Sequence, residues 1–116
     1  MTIYLASIAT SLCEIENRAY SNFSNSLEYI YNSLKSISSK EIDECAYDFF
    51  ERDSVQNYFT EDSFKKLGKV NFRSTYGEFI IEKISDNKYQ FVFYSKSSKK
   101  IDYFIVCELE MLELFD

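Results

Sequence analysis

Glu41, Glu44, Asp48 and Glu51 stand three, four and three residues apart, the spacing that puts side chains on one face of an α-helix. Ile42, Cys45 and Phe49 fall on the opposite face. Carboxylates gathered this way could serve acid–base catalysis, cation binding or recognition of a basic surface. Catalytic carboxylate pairs face each other across a cleft from different elements, and one is desolvated to raise its pKa. A stripe along one exposed helix meets neither condition. Calcium sites draw their ligands from an irregular loop with a glycine turn, not from a regular helix. What remains is an electronegative surface for a basic partner, set against the plainer role of a charged face that keeps the chain soluble. Like charges at these spacings each cost a helix about 0.2–0.5 kcal/mol. Asp53, Glu61 and Asp62 extend the run, so residues 41 to 62 hold eight acids and one base, Arg52. The candidate partner-binding residues are therefore Glu41, Glu44, Asp48, Glu51, Asp53, Glu61 and Asp62. No catalytic, cofactor-binding or metal-binding residue is expected.

Composition narrows the remaining chemistry. The 116 residues include no His, no Pro, no Trp and only two Gly, with a net charge of −6. Without His there is no imidazole base for a triad and no His-ligated zinc. Gly68 and Gly77 cannot build a phosphate-cradling loop. An acidic chain lacks the basic footprint of direct nucleic-acid binding. Cys13, Cys45 and Cys107 are odd in number, far apart and set among apolar residues, as free core thiols are. Thiols of this kind suit a reducing compartment. The apolar start lacks a basic leader and a small-residue cleavage site, and no segment reads as a membrane span. A cytoplasmic, non-enzymatic protein is expected.

A second feature is aromatic. Phe72, Tyr76, Phe79, Tyr89, Phe91, Phe93, Tyr94, Tyr103 and Phe104 all fall in strand-like sequence, with Lys69, Arg73, Lys83, Lys88, Lys96, Lys99 and Lys100 among them. Aromatics on a sheet with basic flanks can stack single-stranded bases. They are also ordinary strand and core residues, and outward tyrosines serve as interface anchors.

These groups need elements to hold them. Ile8, Leu12, Ile15, Ala19, Phe23, Leu27, Ile30, Leu34 and Ile37 recur every three or four residues, which favours a long amphipathic helix from about residue 3 over a short strand at 3–9 followed by a helix start at Ser11. Ser11 with Glu14, and Ser38 with Glu41, have capping-box spacing. Asp53 with Gln56 suggests a further start, and Thr60 is a good N-cap for a helix over 61–67 closed by Gly68. After Gly68 the period changes to two, with turns at Gly77, at 85–88 and in the Lys-rich stretch 95–100. The expectation is one α+β domain over 1–116, helical over 3–67 with its sheet over 69–110. N-terminal helices, one of them long, would pack on a four-stranded antiparallel meander.

Charge is segregated along this plan. Residues 41–64 hold eight acids and one base, residues 65–100 nine bases and three acids, and residues 101–116 five acids and no base. In size, charge and the segment Glu41-Ile42-Asp43-Glu44-Cys45-Ala46-Tyr47-Asp48-Phe49-Phe50-Glu51, the chain resembles the small acidic immunity proteins of bacterial contact-dependent growth-inhibition systems. That resemblance implies binding and neutralisation of a cognate basic toxin, a nuclease domain above all, through the acidic surface. Phage anti-CRISPR inhibitors are similar in size and acidity and mimic nucleic acid by the same physics. Helices followed by a curved sheet also resemble cystatin and NTF2-like folds, which can enclose a small apolar ligand. The expected partner is a basic protein, with no direct nucleic acid, no membrane and no cofactor. Oligomeric state is open at this level.

Overall fold

A computed structural model describes residues 1–10, 15–41, 49–66, 68–73, 77–95 and 104–114. The chain opens with two strands, β1 (Thr2–Thr10) and β2 (Ile15–Tyr20), and continues into α1 (Phe23–Glu41). A helical turn at 49–51 precedes α2 (Asp53–Gln56) and α3 (Glu61–Lys65). Then come β3 (Lys69–Arg73), β4 (Gly77–Ser85), β5 (Lys88–Ser95) and β6 (Phe104–Glu113). All six strands join one antiparallel sheet in the order β2-β1-β6-β5-β4-β3.

This overturns the expected fold of N-terminal helices on a four-stranded meander. Residues 3–20 are a β-hairpin, and the sheet gains two strands from it. The cause lies in β1, a central strand flanked by β2 and β6. Tyr4, Ala6, Ile8 and Thr10 line its inner face, while Ile3, Leu5 and Ala9 line the other. A strand apolar on both faces shows no clean alternation and cannot be told from a buried helix by spacing alone. Its apolar residues also happened to continue the spacing of α1. The Ser11–Glu14 capping box lies outside the described residues, between two strands that pair with each other.

The helix starts at Phe23. Asn22 caps it, its side-chain oxygen accepting from the Asn25 amide at 3.1 Å, which satisfies one of the unpaired N–H groups of the first turn. Phe23, Leu27, Ile30 and Leu34 form its buried stripe. Ser38 opens no helix: it is buried within α1, and its hydroxyl donates to the Lys35 carbonyl at 3.2 Å. Asp53 is likewise the first residue of α2 and not its cap, a position held by Arg52 without a side-chain bond. Thr60 does cap α3, accepting from the Ser63 amide. Gly68 adopts no left-handed backbone. Its carbonyl instead accepts from the Lys83 amide at 2.8 Å, anchoring the entry to β3 beside β4.

The helices lie on one face of the sheet. α1 covers β1, β2 and β6. The rest of that face is covered by aromatic rings from the short helical segments. Phe50 sits 5.1 Å from Phe79 and 5.3 Å from Phe93, centroid to centroid. Phe59 stacks on Phe79 and Phe91, and Phe64 meets Tyr89 and Phe91. These spacings fall in the range where edge-to-face and offset stacking add to area burial. Cys107 is a free thiol in this interior, and burial pushes its pKa well above the usual thiol range. Cys13 and Cys45 lie outside the described residues.

Two stability outcomes are expected. Asn22→Ala removes the α1 cap and should lower unfolding free energy by about 0.5–2 kcal/mol, read as a lower urea midpoint with unchanged slope. Thr10 is buried and its hydroxyl has no hydrogen-bond partner among the described residues. Thr10→Val keeps the shape and removes that cost, so it should raise the unfolding free energy by about 1 kcal/mol, on the scale of an unsatisfied buried group, read as a higher urea midpoint.

Candidate functional site

The expected acidic residues are distributed over several elements of the helical layer. Glu41 is the last residue of α1, with its side chain outside the described set. Glu44 and Asp48 lie outside the described residues, so the stripe they would complete is not described. Glu51 ends the helical turn at 49–51 and is engaged. Its Oε1 accepts from Lys35 Nζ at 2.7 Å and its Oε2 from Gln56 Nε2 at 2.9 Å, tying the turn to α1 and α2. Glu61 pairs with Lys65 one turn along α3, at 3.3 Å. Asp53 and Asp62 are exposed in the first turns of α2 and α3, where a negative charge complements the amide end of a helix.

Spacing alone could not show which carboxylates are neutralised. The Lys35–Glu51 pair spans 16 residues and forms only because 49–51 packs against α1. Tyr31 reinforces that packing by donating to the Phe50 carbonyl at 2.6 Å. Lys35 Nζ in turn lies 5.0 Å from the centre of the Tyr31 ring, within cation–π range.

Glu28 joins the candidate surface although the acidic run of 41–62 does not include it. It is exposed on α1 and borders a cleft of about 370 Å³ with Ser24, Tyr31, Gln56 and Phe59. Gln56 both lines this cleft and binds Glu51. Aromatic walls with a carboxylate, Glu28, at the rim suit a guanidinium or ammonium group, which can stack on a ring and pair with a carboxylate. The signal in the sequence was the position of Glu28 on the polar side of the α1 stripe.

The strand aromatics divide by parity. Phe79, Tyr89, Phe91 and Phe93 point into the core, so they are closed to stacking with bases. Tyr94 and Phe104 lie on the opposite, outer face; Tyr76 and Tyr103 lie outside the described residues. Of the strand bases, Lys88 pairs with Glu108 at 3.2 Å and Lys83 with Asp86 at 3.7 Å. Arg73 approaches Glu78 at 3.8 Å.

Glu78 is a second feature that spacing did not reveal. It is nearly buried at the β3 end of the outer face, where Asn71 and Tyr94 donate to its two oxygens. The bond to Glu78 raises the Tyr94 pKa, and desolvation adds to the rise. Arg73, Glu78 and Tyr94 are direct cross-strand neighbours, a juxtaposition that only the register of three strands creates. A carboxylate so fully engaged by donors holds the strands together. On the inner face, Tyr29 of α1 meets Glu16 and Arg18 of β2, with the Arg18 guanidinium 4.9 Å from the ring centre. Burial first, then the Glu16 contact, pushes the Tyr29 hydroxyl up to about 12.

The interior between helices and sheet is filled by side chains at the described positions, including Leu27, Ile30, Phe49 and Phe50. The clefts sit at its margins. One of about 670 Å³ runs between α2, α3 and β3, past Tyr58, Lys66 and Phe72. Another of about 320 Å³ holds two acids and two bases, Glu61, Asp86, Lys65 and Lys83. No group of three or more potential metal ligands occurs among the described residues. No helix among them is long and apolar enough to cross a membrane. Comparisons of the chain with protein-family models, with curated proteins and with solved structures find no match.

Proposed function

We propose that this protein is an immunity-type inhibitor that captures a basic toxin domain, a nuclease above all, on its acidic helical layer. The observation that carries this reading is the set of exposed carboxylates Glu28, Asp53 and Asp62 on three successive helices. None of them has an ion pair among the described residues. A basic active-site cleft built for phosphates presents the complementary charge, and such complementarity raises association rates by roughly 10–10³-fold. The cleft between Glu28, Tyr31 and Phe59 supplies a seat for one basic side chain of the partner. Glu44 and Asp48 belong to the same acidic segment by sequence and extend the proposed surface.

The small-ligand reading is weaker, because the described clefts are marginal and the helix–sheet interior is packed. The protein encoded beside this gene is the first partner to test. Co-expression should relieve its toxicity, and the pair should associate in a salt-sensitive manner. The triple variant Glu28→Lys, Asp53→Lys, Asp62→Lys should slow association at least tenfold while leaving the far-UV circular dichroism unchanged. Glu44→Lys with Asp48→Lys should slow it further. Unchanged association in both variants would remove the acidic layer from the interface.

A further inference from the structure

The described helices leave the outer face of the sheet bare, and its side chains fall into ordered cross-strand rows. One row is apolar: Ile80 is beside Val92, Val92 beside Val106, and Val106 beside Ala9. The neighbouring row on one side sets Tyr94 beside Phe104, the latter 42% exposed. On the other side Gln90 lies beside Glu108, and beyond it Lys88 beside Glu110. A half-buried apolar row framed by aromatic and charged rows has the composition of an interface core with a polar rim.

We propose that this face is a two-fold interface between two copies of this chain, with β5 of each copy lying over β6 of the other. The occupant follows from the charge pattern. A two-fold axis parallel to the strands, passing between β5 and β6, carries every β5 residue onto its own cross-strand partner in the second copy. Lys88 then faces Glu110, Gln90 faces Glu108, Val92 faces Val106 and Tyr94 faces Phe104. Ile80 meets Ala9, and Glu82 meets Ser7, since those pairs share the same rows. Within these six pairs the apolar side chains meet apolar ones, and Lys88 meets an anion. Such self-complementarity is the requirement of an isologous contact. A two-fold axis across the strands, through the valine row, would instead set the row of Glu82 on the row of Glu78 and oppose like charges.

Glu110 adds an independent reason. Lys88 Nζ pairs with Glu108 within its own strand pair at 3.2 Å, while Glu110, opposite Lys88 in the register, has no ion pair among the described residues. The second copy supplies the missing cation. Two sheets packed this way lie about 10 Å apart with strands within about 30° of each other, close enough for the central rows to interdigitate. The helical layer stays free on both outer surfaces of the dimer, so this inference stands apart from the proposed toxin binding.

The test is sedimentation velocity of the full chain over a range of concentrations. The wild-type protein should sediment as a dimer that dissociates on dilution. Val92→Glu should weaken association at least tenfold with unchanged circular dichroism. The charge test is decisive because it needs two variants. Lys88→Glu puts two acids where the pair meets, and Glu110→Lys puts two bases there. Each should be monomeric alone, and an equimolar mixture should dimerise, because only the mixed pair matches charge across the axis. A wild-type chain that stays monomeric at every concentration would overturn the proposal, as would a mixture that fails to associate.

Discussion

The pairing of β1 with β6 joins the two ends of the chain and sets every other placement in the fold. Nine residues of β1, Thr2 to Thr10, run antiparallel to Glu113 through Ile105. Without that pairing, the N-terminal hairpin has two strands, which is marginal in water. The remaining four strands would be left with β6 as an exposed edge. With it, the sheet has six strands and α1, leaving β2 at one side, lies back across β1 and β6. The contact spans almost the whole sequence, so its loop-closure cost falls late in folding. What offsets that cost is the inner face the pairing completes, where Ala6, Ile8, Ile105, Cys107 and Leu109 are buried together.

The second half of the inner face is covered differently. α1 packs mainly on β1, β2 and β6, and over β4 and β5 the helical residues 49–51 and the α2–α3 segment are held by aromatic side chains. Phe49 and Phe50 reach Phe79 and Phe93. Phe59 and Phe64 reach Phe91. Helices of four or five residues cannot stand alone, so these rings position Asp53, Glu61 and Asp62. The acidic surface is therefore a product of core packing more than of helix formation. Its charges are partly tempered where packing brings a lysine close, as at Lys35 and Glu51.

Much of the C-terminal half was legible because its strands are dense in aromatic and β-branched residues and are separated by turn chemistry. Asp86-Asn87 makes the two-residue link between the paired Ser85 and Lys88, as composition suggested. Thr60 was legible as the cap of the helix that starts at Glu61. Residues 3–20 were not legible, because a central strand hides its period and its partner lies about a hundred residues away in β6. The stripe from Phe23 onward was real, and its extension backward to Ile8 was coincidence. At the candidate site the residue types were legible, but their state was not. Lys35–Glu51 and Asn71–Glu78–Tyr94 depend on tertiary contacts that no spacing rule encodes.

One sheet with two dissimilar faces follows from these contacts: a helical face that carries Glu28, Asp53 and Asp62, proposed for a basic partner, and an outer face that no described helix covers, proposed for a second copy. The α1 cover of the inner face and the reach of the outer rows to Ala9 and Ser7 require that β1 lie between β2 and β6. Cross-strand nuclear Overhauser effects test that placement most directly. The account predicts contacts from Tyr4 to Tyr20 on one side and to Met111 on the other, and from Ile8 to Cys107, with slow amide exchange along β1. A run of contacts between residues three apart through 3–19, as a helix gives, would contradict it.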